Sequence, residues 1–468
     1  MKRMRKPVKP QSILATAVAV ALLATACGGR SDPESEPARG EASASPSAAA
    51  AVTSDFGDLK AVCQDGSPTS APTKGVTKDE IKVSTFSDIG FTKNAEFLDA
   101  ALVFTKWCND AGGINGRKLV STTRDANLFQ SRQRMIEACR DDFALVGGGS
   151  ALDALGVEKR LSCLLPDFPA QTAQAQNMGS DLQANLMGSA IYSGYMGYYT
   201  WLLKEAYPDS AGAVGIISGD SPITKALVGE AKEGIEAAGG KVSYNDLYPA
   251  LGVSDWTPYA QSLKSKKVKA LMFYGDFASL AKLEQVLTGI NYKLDWIDAN
   301  SNAYGPAFLK LAGKSLDFQN NLADLSGVTP LEKASTTPAT QQVVDLFAKY
   351  APQSDVTLPT LKAFSAWLLF AKSAASCGDN LTRKCAIEAA LKETAWTGGG
   401  LQAPVNLAKP GPPKCFNVEK ATSQGWEPAD FKPDTGNYRC DAPVHKFTAD
   451  YGKPLTLSDV GKSMSDVK

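Results

Sequence analysis

IKVSTFSDIG, residues 81–90, begins the stretch that decides the fold of this chain. Its first residues alternate apolar and polar side chains at a period of two, which is typical of a β-strand. Residues 94–111 have apolar side chains at helical spacing, and the glycines of AGGINGRKL, residues 111–119, end that helix. Similar patterns predict a strand, a helix and a strand at 118–123, 131–140 and 143–146. This alternation indicates βαβ units and a parallel sheet.

Two loops at the ends of these predicted strands are candidates for a binding site. One spans residues 87–91 and includes Ser87 and Phe91, and the other spans residues 147–153 and includes Ser150. In parallel sheets of this kind, ligands bind in the crevice beyond the carboxyl ends of the strands. We therefore expect both loops to line the site.

Three segments resemble a known family: IKVSTFSDIG, AGGINGRKL and ALVGGGS, the last at residues 144–150. Together they resemble the type I periplasmic solute-binding proteins, specifically the leucine/isoleucine/valine-binding branch that serves branched-chain amino acid ABC transporters. AGGINGRKL is the most specific of the three, and the resemblance extends more loosely from about residue 75 to the C-terminal region. It implies an α/β fold of two Rossmann-like lobes with parallel central sheets, joined by a multi-strand hinge and closing over a small polar solute.

The resemblance also implies which residues of the first lobe hold the solute carboxylate. A buried strand is predicted at residues 161–166, and the loop after it carries Ala170 and Thr172. In the resembled family, backbone and hydroxyl groups at these positions and at Ser150 hold the carboxylate. Ser150 and Thr172 each stand at a predicted helix N-terminus, where free N–H groups and the helix dipole favour an anion. Both are alternatively plain N-caps, but their placement on neighbouring strand ends favours binding.

In the second lobe the chain departs from the family pattern. Ile223 stands in a loop where the family commonly has a Tyr-Gly pair, and Phe277 stands where the family has an aromatic wall. Amino-acid binders of the family place an acid around Asn300 to hold the ammonium group, and Asn300 carries no charge. Either Asp276 or Asp298 takes that role, or the solute has no ammonium group. Asp276 is alternatively a solvated loop acid, so the sequence leaves the solute unidentified.

The N-terminus has the features of an export signal. Residues 1–6 are basic, residues 13–24 form an apolar run too short to span a bilayer, and small residues precede Cys27. This resembles a bacterial lipobox and predicts lipidation of Cys27, although an ordinary signal peptide with a chance cysteine is the alternative. The protein would then be anchored by lipid to the extracellular face of the cell membrane.

The composition of the chain and the positions of its glycines and prolines predict how it divides into segments and lobes. We expect a lipoprotein signal peptide at 1–27, a flexible tether at 28–54, an N-terminal arm at 55–74, lobe 1 at 75–186 with 320–397, lobe 2 at 187–319 with 398–441, and a loose tail at 442–468. An aromatic helix is expected at 188–207, where five tyrosines and a tryptophan occur. Such a stripe is more often part of a core than of a ligand cage.

Eight cysteines remain after Cys27, and an even number in an exported chain suggests disulfides. They allow 105 connectivities, so the sequence alone does not fix the pairing. Proximity along the chain favours Cys139–Cys163, Cys377–Cys385 and Cys415–Cys440, which leaves Cys63–Cys108.

Composition also limits the classes of function. The net charge is zero, which gives no footprint for nucleic acid, and the chain has one histidine, His445. The sequence has no CxxC motif and no metal-ligand spacing, so we expect no metal and no cofactor. It has no Gly-x-Ser-x-Gly elbow either, which disfavours an exported hydrolase and an enzyme in general. The remaining hypotheses are a monomeric solute-binding protein that delivers to an ABC permease, and a sensor that reports the solute to a membrane receptor.

Overall fold

The strands of this protein form two main sheets, each covered by helices. The structure is a computed structural model, and it describes residues 52–186, 193–250, 252–440 and 442–468. The predicted signal peptide, the lipidation site Cys27 and nearly all of the tether lie outside these residues. The predicted α/β class with parallel sheets is confirmed.

The first sheet defines lobe 1 and contains four parallel strands in the order β2-β1-β3-β4. Their bounds are Glu80–Ser87 (β1), Lys118–Asp125 (β2), Leu145–Val146 (β3) and Asp167–Phe168 (β4). The helices between them are Ile89–Thr92 (α1), Glu96–Asp110 (α2), Ser131–Asp141 (α3) and Ala154–Ser162 (α4). The βαβ pattern predicted for residues 81–146 is therefore present.

The second sheet defines lobe 2 and contains seven strands in the order β12-β11-β10-β9-β8-β6-β7. The central strands are parallel, and β11 and β12 join antiparallel at one edge. The strands are Val214–Gly219 (β6), Val242–Tyr248 (β7), Ala270–Tyr274 (β8), Trp296–Asp298 (β9), Asn321–Asp324 (β10), Val418–Thr422 (β11) and Gly425–Pro428 (β12). The helices of this lobe are Gly197–Thr200 (α5), Pro222–Ala237 (α6), Thr257–Ser265 (α7), Phe277–Gly289 (α8), Pro306–Ala312 (α9) and Ser315–Phe318 (α10).

Three later helices return to lobe 1: Pro338–Tyr350 (α11), Leu358–Ser376 (α12) and Arg383–Ala390 (α13). Helix α12 is buried on nearly every face, which is the pattern of a helix at the centre of a core. Phe104 of α2 stacks on Trp367 of α12 with ring centroids 5.4 Å apart. None of the helices among the described residues combines the length and the apolarity needed to cross a membrane.

The chain crosses between the lobes at residues 325–329 and again at residues 401–405, and these two segments pair with each other. Ala403 donates its N–H to the carbonyl of Gly327 at 2.7 Å, and Thr329 donates to the carbonyl of Leu401 at 2.8 Å. The fully buried side chain of Asn417 donates to the carbonyl of Val328 and accepts from the N–H of Gly327, both at 2.8 Å. These bonds make a paired connection of the kind expected for a hinge.

The prediction of a strand at residues 161–166 is wrong. Helix α4 continues to Ser162, Leu164 takes a left-handed conformation with φ 58°, and the strand is Asp167–Phe168. Leu161 and Leu165 are buried, so the apolar run belongs to the core as expected. A short apolar run is compatible with either a strand or the end of a helix, and periodicity alone does not separate them.

Two further predictions need correction. The expected aromatic helix at 188–207 is, in its described part, a strand at Ser193–Tyr195 (β5), helix α5 and a π-helical turn at Trp201–Ala206; residues 187–192 lie outside the described residues. Strand β10 pairs with β9 and β11, so residues 321–324 belong to the sheet of lobe 2, although lobe 1 was predicted to resume at residue 320. Both differences arise from pairing between strands that are distant in sequence, and such pairing has no local sequence signal.

The C-terminal tail predicted to be loose is packed against the protein. Val444–Lys446 (β13) pairs antiparallel with β5, and the side chains of Leu457 and Val467 are buried.

The N-terminal arm at residues 55–74 contributes Phe56 to the core, where the centroid of its ring lies 5.3 Å from that of Phe364.

The residues that the structure describes form four disulfides, Cys63–Cys108, Cys139–Cys163, Cys377–Cys385 and Cys415–Cys440. Three of them are the pairs that proximity along the chain favours, and Cys63–Cys108 is the pair that those three leave. The first ties the N-terminal arm to α2, and the second ties the end of α3 to the turn before β4.

Candidate functional site

The strand-end loops of lobe 1 meet at one edge of its sheet. Gly149 donates its N–H to the carbonyl of Phe86 at 3.1 Å, and Ala170 donates to the carbonyl of Gly148 at 2.9 Å. Ala126, after β2, donates to the carbonyl of Ser87 at 2.8 Å. The loops predicted to line a site are therefore in direct contact, because the carboxyl ends of parallel strands share one edge.

Two buried acids, Asp88 and Asp153, hold these loops in place. Asp88 accepts hydrogen bonds from the N–H of Leu128 and from the N–H of Ala151, both at 2.7 Å. Asp153 accepts from the N–H of Ala173 at 2.8 Å and from Asn177 Nδ2 at 2.9 Å. Burial raises the pKa of Asp153 to about 6, against these hydrogen bonds. The acids fix the positions of the loops on either side of them.

Ser150 and Thr172 are both half-buried on these loops. Ser150 Oγ lies 3.2 Å from Ser131 Oγ, and Thr172 Oγ1 accepts a hydrogen bond from Asn185 Nδ2 at 3.3 Å. Within the described part of the chain, the backbone N–H groups of Ser150 and Thr172 donate no hydrogen bond. Each residue therefore offers one N–H and one hydroxyl to a ligand, a set that suits a carboxylate.

The expectation that Ser150 and Thr172 stand at helix N-termini is wrong. Helix α4 begins at Ala154 with Asp153 before it, and residues 171–180 form a loop. The alternative that both are plain N-caps is excluded for the same reason. Among the described residues, both backbone N–H groups are unpaired, and neither residue caps a helix.

The other predicted residues of lobe 1 have different surroundings. Ser87 is buried, and its hydroxyl accepts a hydrogen bond from the N–H of Ile89 at 3.0 Å, so it shapes the turn into α1. Phe91 is on α1 and is 46% exposed. Ala170 is buried and its N–H is already bonded to Gly148, which leaves only its carbonyl for a ligand.

The predicted residues of lobe 2 lie at strand ends of the second sheet. Ile223 is in the first turn of α6, behind the capping residue Ser221. Asp276 is exposed and caps α8 by accepting from the N–H of Ser279 at 2.8 Å, and Phe277 is the first residue of that helix. A capping role accounts for the Asp276 carboxylate without a ligand.

Asn300 and Asp298 form a tight turn at the end of β9. Asn300 has a positive φ of 64°, and its side chain accepts a hydrogen bond from the N–H of Asn302 at 3.1 Å. Its own N–H donates to Asp298 Oδ1 at 3.3 Å. Asp298 is 8% exposed, and burial raises its pKa to about 7. Of the two acids that the sequence left open, Asp298 is the one without a capping role.

A second acid, Asp324, lies on the neighbouring strand, and no sequence pattern predicts its role. Asp324 ends β10, the strand beside β9, and burial raises its pKa to about 7 as well. Burial lowers the pKa of Lys362, on α12 of lobe 1, to about 8, and the charge of Asp324 opposes that shift. No local sequence pattern predicts that Asp298, Asp324 and Lys362 belong together, because they lie far apart in the chain.

The two edges differ in chemistry. Lobe 1 has the N–H groups and hydroxyls of Ser150 and Thr172 in its strand-end loops, and lobe 2 has the carboxyl groups of Asp298 and Asp324 at the ends of β9 and β10. The first set favours an anionic end of a solute and the second favours a cationic or donor end. Across the described ranges, no group of three or more His, Cys, Asp or Glu side chains is placed to hold a metal ion.

Comparisons with known proteins agree with this architecture. A family model described as periplasmic binding protein matches residues 91–412. A search of curated proteins found no match.

Similar solved structures include a fatty acid ABC transporter substrate-binding protein from Thermomonospora curvata, with 16% identity, a TM-score of 0.64, and coverage of 81% of this chain and 97% of that one. The branched-chain amino acid transporter substrate-binding protein LivJ from Streptococcus pneumoniae, in complex with isoleucine, has 14% identity, a TM-score of 0.61, and coverage of 78% and 100%. A leucine-binding protein, LivK, from Thermotoga maritima has 11% identity, a TM-score of 0.62, and coverage of 74% and 97%. At these identities the likeness shows the fold alone.

Proposed function

The chain belongs to the periplasmic binding protein family, and from that premise we propose that it is the lipid-anchored, extracellular solute-binding protein of an ABC importer. It acts as a binding protein rather than an enzyme, and its membrane partner is the importer's permease. Cys27 carries the lipid, and the tether that follows it lets the lobes stand away from the membrane.

The solute is a small polar molecule with a carboxylate: an amino acid, an amide of one or a related acid. The observation that carries this proposal is the convergence of the loops after β1, β3 and β4, with the N–H groups of Ser150 and Thr172 unpaired. A carboxylate accepts from such donors, and charge-assisted hydrogen bonds are about twice as strong as neutral ones. The solutes named for two of the similar structures, isoleucine and fatty acids, also share a carboxylate.

Asp298 supports a solute with an ammonium group over one without. Its carboxyl is buried at the edge of lobe 2, and the alternative acid, Asp276, is exposed and caps α8. An ammonium group of the solute would neutralise Asp298 and compensate for its burial. This favours an amino acid over a plain carboxylic acid.

Binding works by closure of the two lobes. A solute that contacts Ser150 and Thr172 on lobe 1 and Asp298 on lobe 2 has all its contacts only when the lobes approach each other. It therefore stabilises the closed state relative to the open one, and only that difference in affinity shifts the equilibrium. The closed form is the one that docks on the permease.

The proposal is tested by a thermal-shift screen followed by calorimetry. The panel contains L-amino acids, their amides, hydroxy acids and fatty acids. The double variant Ser150→Ala with Thr172→Ala should bind the best ligand about 100-fold more weakly, because it loses two hydroxyls that bond to a charged group.

The matched control is Ser162→Ala with Thr105→Ala. These hydroxyls also lie in lobe 1, but each donates to a carbonyl of its own helix. The control should bind as the parent does. Equal binding by the double variant and the control would refute the carboxylate site.

The lipid anchor has its own test, since mass spectrometry of the mature protein must find a lipidated Cys27 at the N-terminus.

A further inference from the structure

We propose that residues 444–467, here called the strap, fasten the two lobes to each other and limit how far they separate. The family match ends at residue 412, so the strap lies beyond the part of the chain that the family accounts for. The inference does not depend on which solute is bound, because it concerns the protein without solute.

The first end of the strap is anchored on lobe 2. Strand β13 pairs with β5, with Val444 opposite Tyr195 and Lys446 opposite Ser193. The strap then crosses α6 at Glu233.

Glu233 is the centre of this anchor because four residues of the strap donate hydrogen bonds to it, the weakest being the N–H of Ala449 at 3.4 Å. His445 Nε2, Thr448 Oγ1 and Tyr451 Oη each donate to its carboxylate at 2.9 Å, and the N–H of Thr448 donates as well. Although desolvation opposes it, these bonds lower the pKa of Glu233 to about 2. The carboxylate is therefore ionised and fully used by the strap throughout the neutral range.

The second end of the strap is anchored on lobe 1. Leu455 exchanges backbone hydrogen bonds with the loop after β4: its N–H donates to the carbonyl of Gln176 at 2.9 Å, and its carbonyl accepts from Asp181 at 3.3 Å. The N–H of Leu457 donates to Asp181 Oδ2 at 2.7 Å. The side chains of Leu457 and Val467 are both buried. This loop is the same one that carries Thr172.

The segment of chain between the two anchors is very short. The ring of Tyr451 lies against Gly229 of α6, where a Cβ added to the glycine would be 2.7 Å away. The next residue, Gly452, lies against Ala175 of lobe 1, where an added Cβ would come within 2.8 Å. One peptide unit thus joins the last contact on lobe 2 to the first contact on lobe 1.

The shortness of the link has a mechanical consequence. From Tyr451 to Leu455 a fully extended chain reaches at most about 14 Å. A hinge movement that separates α6 from the loop after β4 by more than this breaks one anchor. The anchor on lobe 1 includes buried apolar side chains, whereas the anchor at Glu233 consists of polar contacts around a half-buried carboxylate. We therefore expect the Glu233 anchor to be the one that is released.

The test removes this anchor and measures both the strap and the lobes. Glu233→Ala is compared with Glu236→Gln, which removes a carboxylate from an exposed position of the same helix that makes no hydrogen bond to the strap among the described residues. Amide hydrogen exchange reports on residues 444–451. Fluorophores at Arg132 in lobe 1 and Lys282 in lobe 2, both exposed, report the distribution of distances between the lobes without solute.

In Glu233→Ala we expect amide exchange at 444–451 to be at least tenfold faster and the distance distribution to be broader, with longer distances. Glu236→Gln should match the parent in both measurements. If Glu233→Ala exposes the strap but the distances stay as in the parent, the strap does not restrain the lobes. If exchange also stays unchanged, Glu233 is not its anchor. Either result overturns the proposal.

Discussion

Tyr198 donates its hydroxyl to Asp298 Oδ1 across 3.3 Å, and this bond joins α5, the first helix of lobe 2, to the end of β9. The contact explains how a buried carboxyl is held at the edge of the sheet without a basic partner. Neutral donors stabilise its charged form only in part, so burial still raises the pKa of Asp298 to about 7.

This carboxyl should make solute binding depend on pH. If the solute has an ammonium group, it pairs with the ionised form of Asp298, whose population rises from about 10% at pH 6 to about 90% at pH 8. Affinity should therefore increase about tenfold over that interval and level off above it. Calorimetry at four pH values measures it. Asp298→Asn should bind weakly with a flat profile, and a parent with no pH dependence would point to a solute without an ammonium group.

Glu284 of α8 should make stability depend on pH. It is fully buried with a single hydrogen bond, from Asn321 Nδ2 at 2.8 Å, and burial raises its pKa to about 8. The folded state keeps its proton up to that pH, whereas the unfolded chain loses it near pH 4.5. The stability it contributes is thus full below about pH 4.5 and is lost as the pH rises through 8.

Glu284→Gln should therefore be more stable than the parent at pH 9, by roughly 2–4 kcal/mol, and closer to it at pH 5. Urea unfolding at the two pH values measures the difference. Glu158→Gln, at an exposed position of α4, is the control and should follow the parent at both. A gain for Glu284→Gln that is equal at pH 5 and pH 9 would contradict the assignment.

Gly147 should not tolerate a side chain. It has φ 65°, and an added Cβ would lie 2.3 Å from Trp367 Nε1 in the core. Gly147→Ala should lower the free energy of unfolding by about 2 kcal/mol or more, and it should weaken solute binding because the same loop carries Ser150. Gly212→Ala, where an added Cβ meets nothing within 4 Å, is the control. Thermal unfolding and calorimetry distinguish the two variants.

The disulfides should contribute to stability in the order of the loops they close. Cys63–Cys108 joins residues 45 apart, and Cys377–Cys385 joins residues 8 apart. Loop-closure entropy gives about 4 kcal/mol for the first and about 2.5 kcal/mol for the second. Replacing each pair by serines and measuring urea unfolding compares them. A larger loss for the shorter loop would show that packing around the sulfurs outweighs chain entropy.

Much of lobe 1 was predictable because its signals are local. The alternation in residues 81–86 becomes β1, and the helical spacing and glycines of residues 94–119 become α2 and its end. Periodicity and backbone conformation act over a few residues, so they are present in the sequence itself. The end of α4 was missed because a buried run of apolar residues satisfies either structure.

The site was predictable only where it follows from strand ends. The sequence identified the loops that carry Ser150 and Thr172, because a βαβ order sends every strand end to one edge. It did not show that these residues lack helices behind them, that Asp276 caps α8, or that Asp324 lies near Lys362. These facts depend on distances between residues that are far apart in the chain.

By itself, the sequence predicted the α/β class from periodicity over short stretches and the family from three segments that resemble it, and it favoured three of the four disulfide pairs by proximity along the chain. Only the tertiary structure decided which acid is buried in lobe 2, that β10 belongs to the second sheet, and that the C-terminal segment is fastened to both lobes. The physical reason is that burial, charge interaction and strand pairing are properties of neighbours in space, and no local pattern of residues specifies those neighbours.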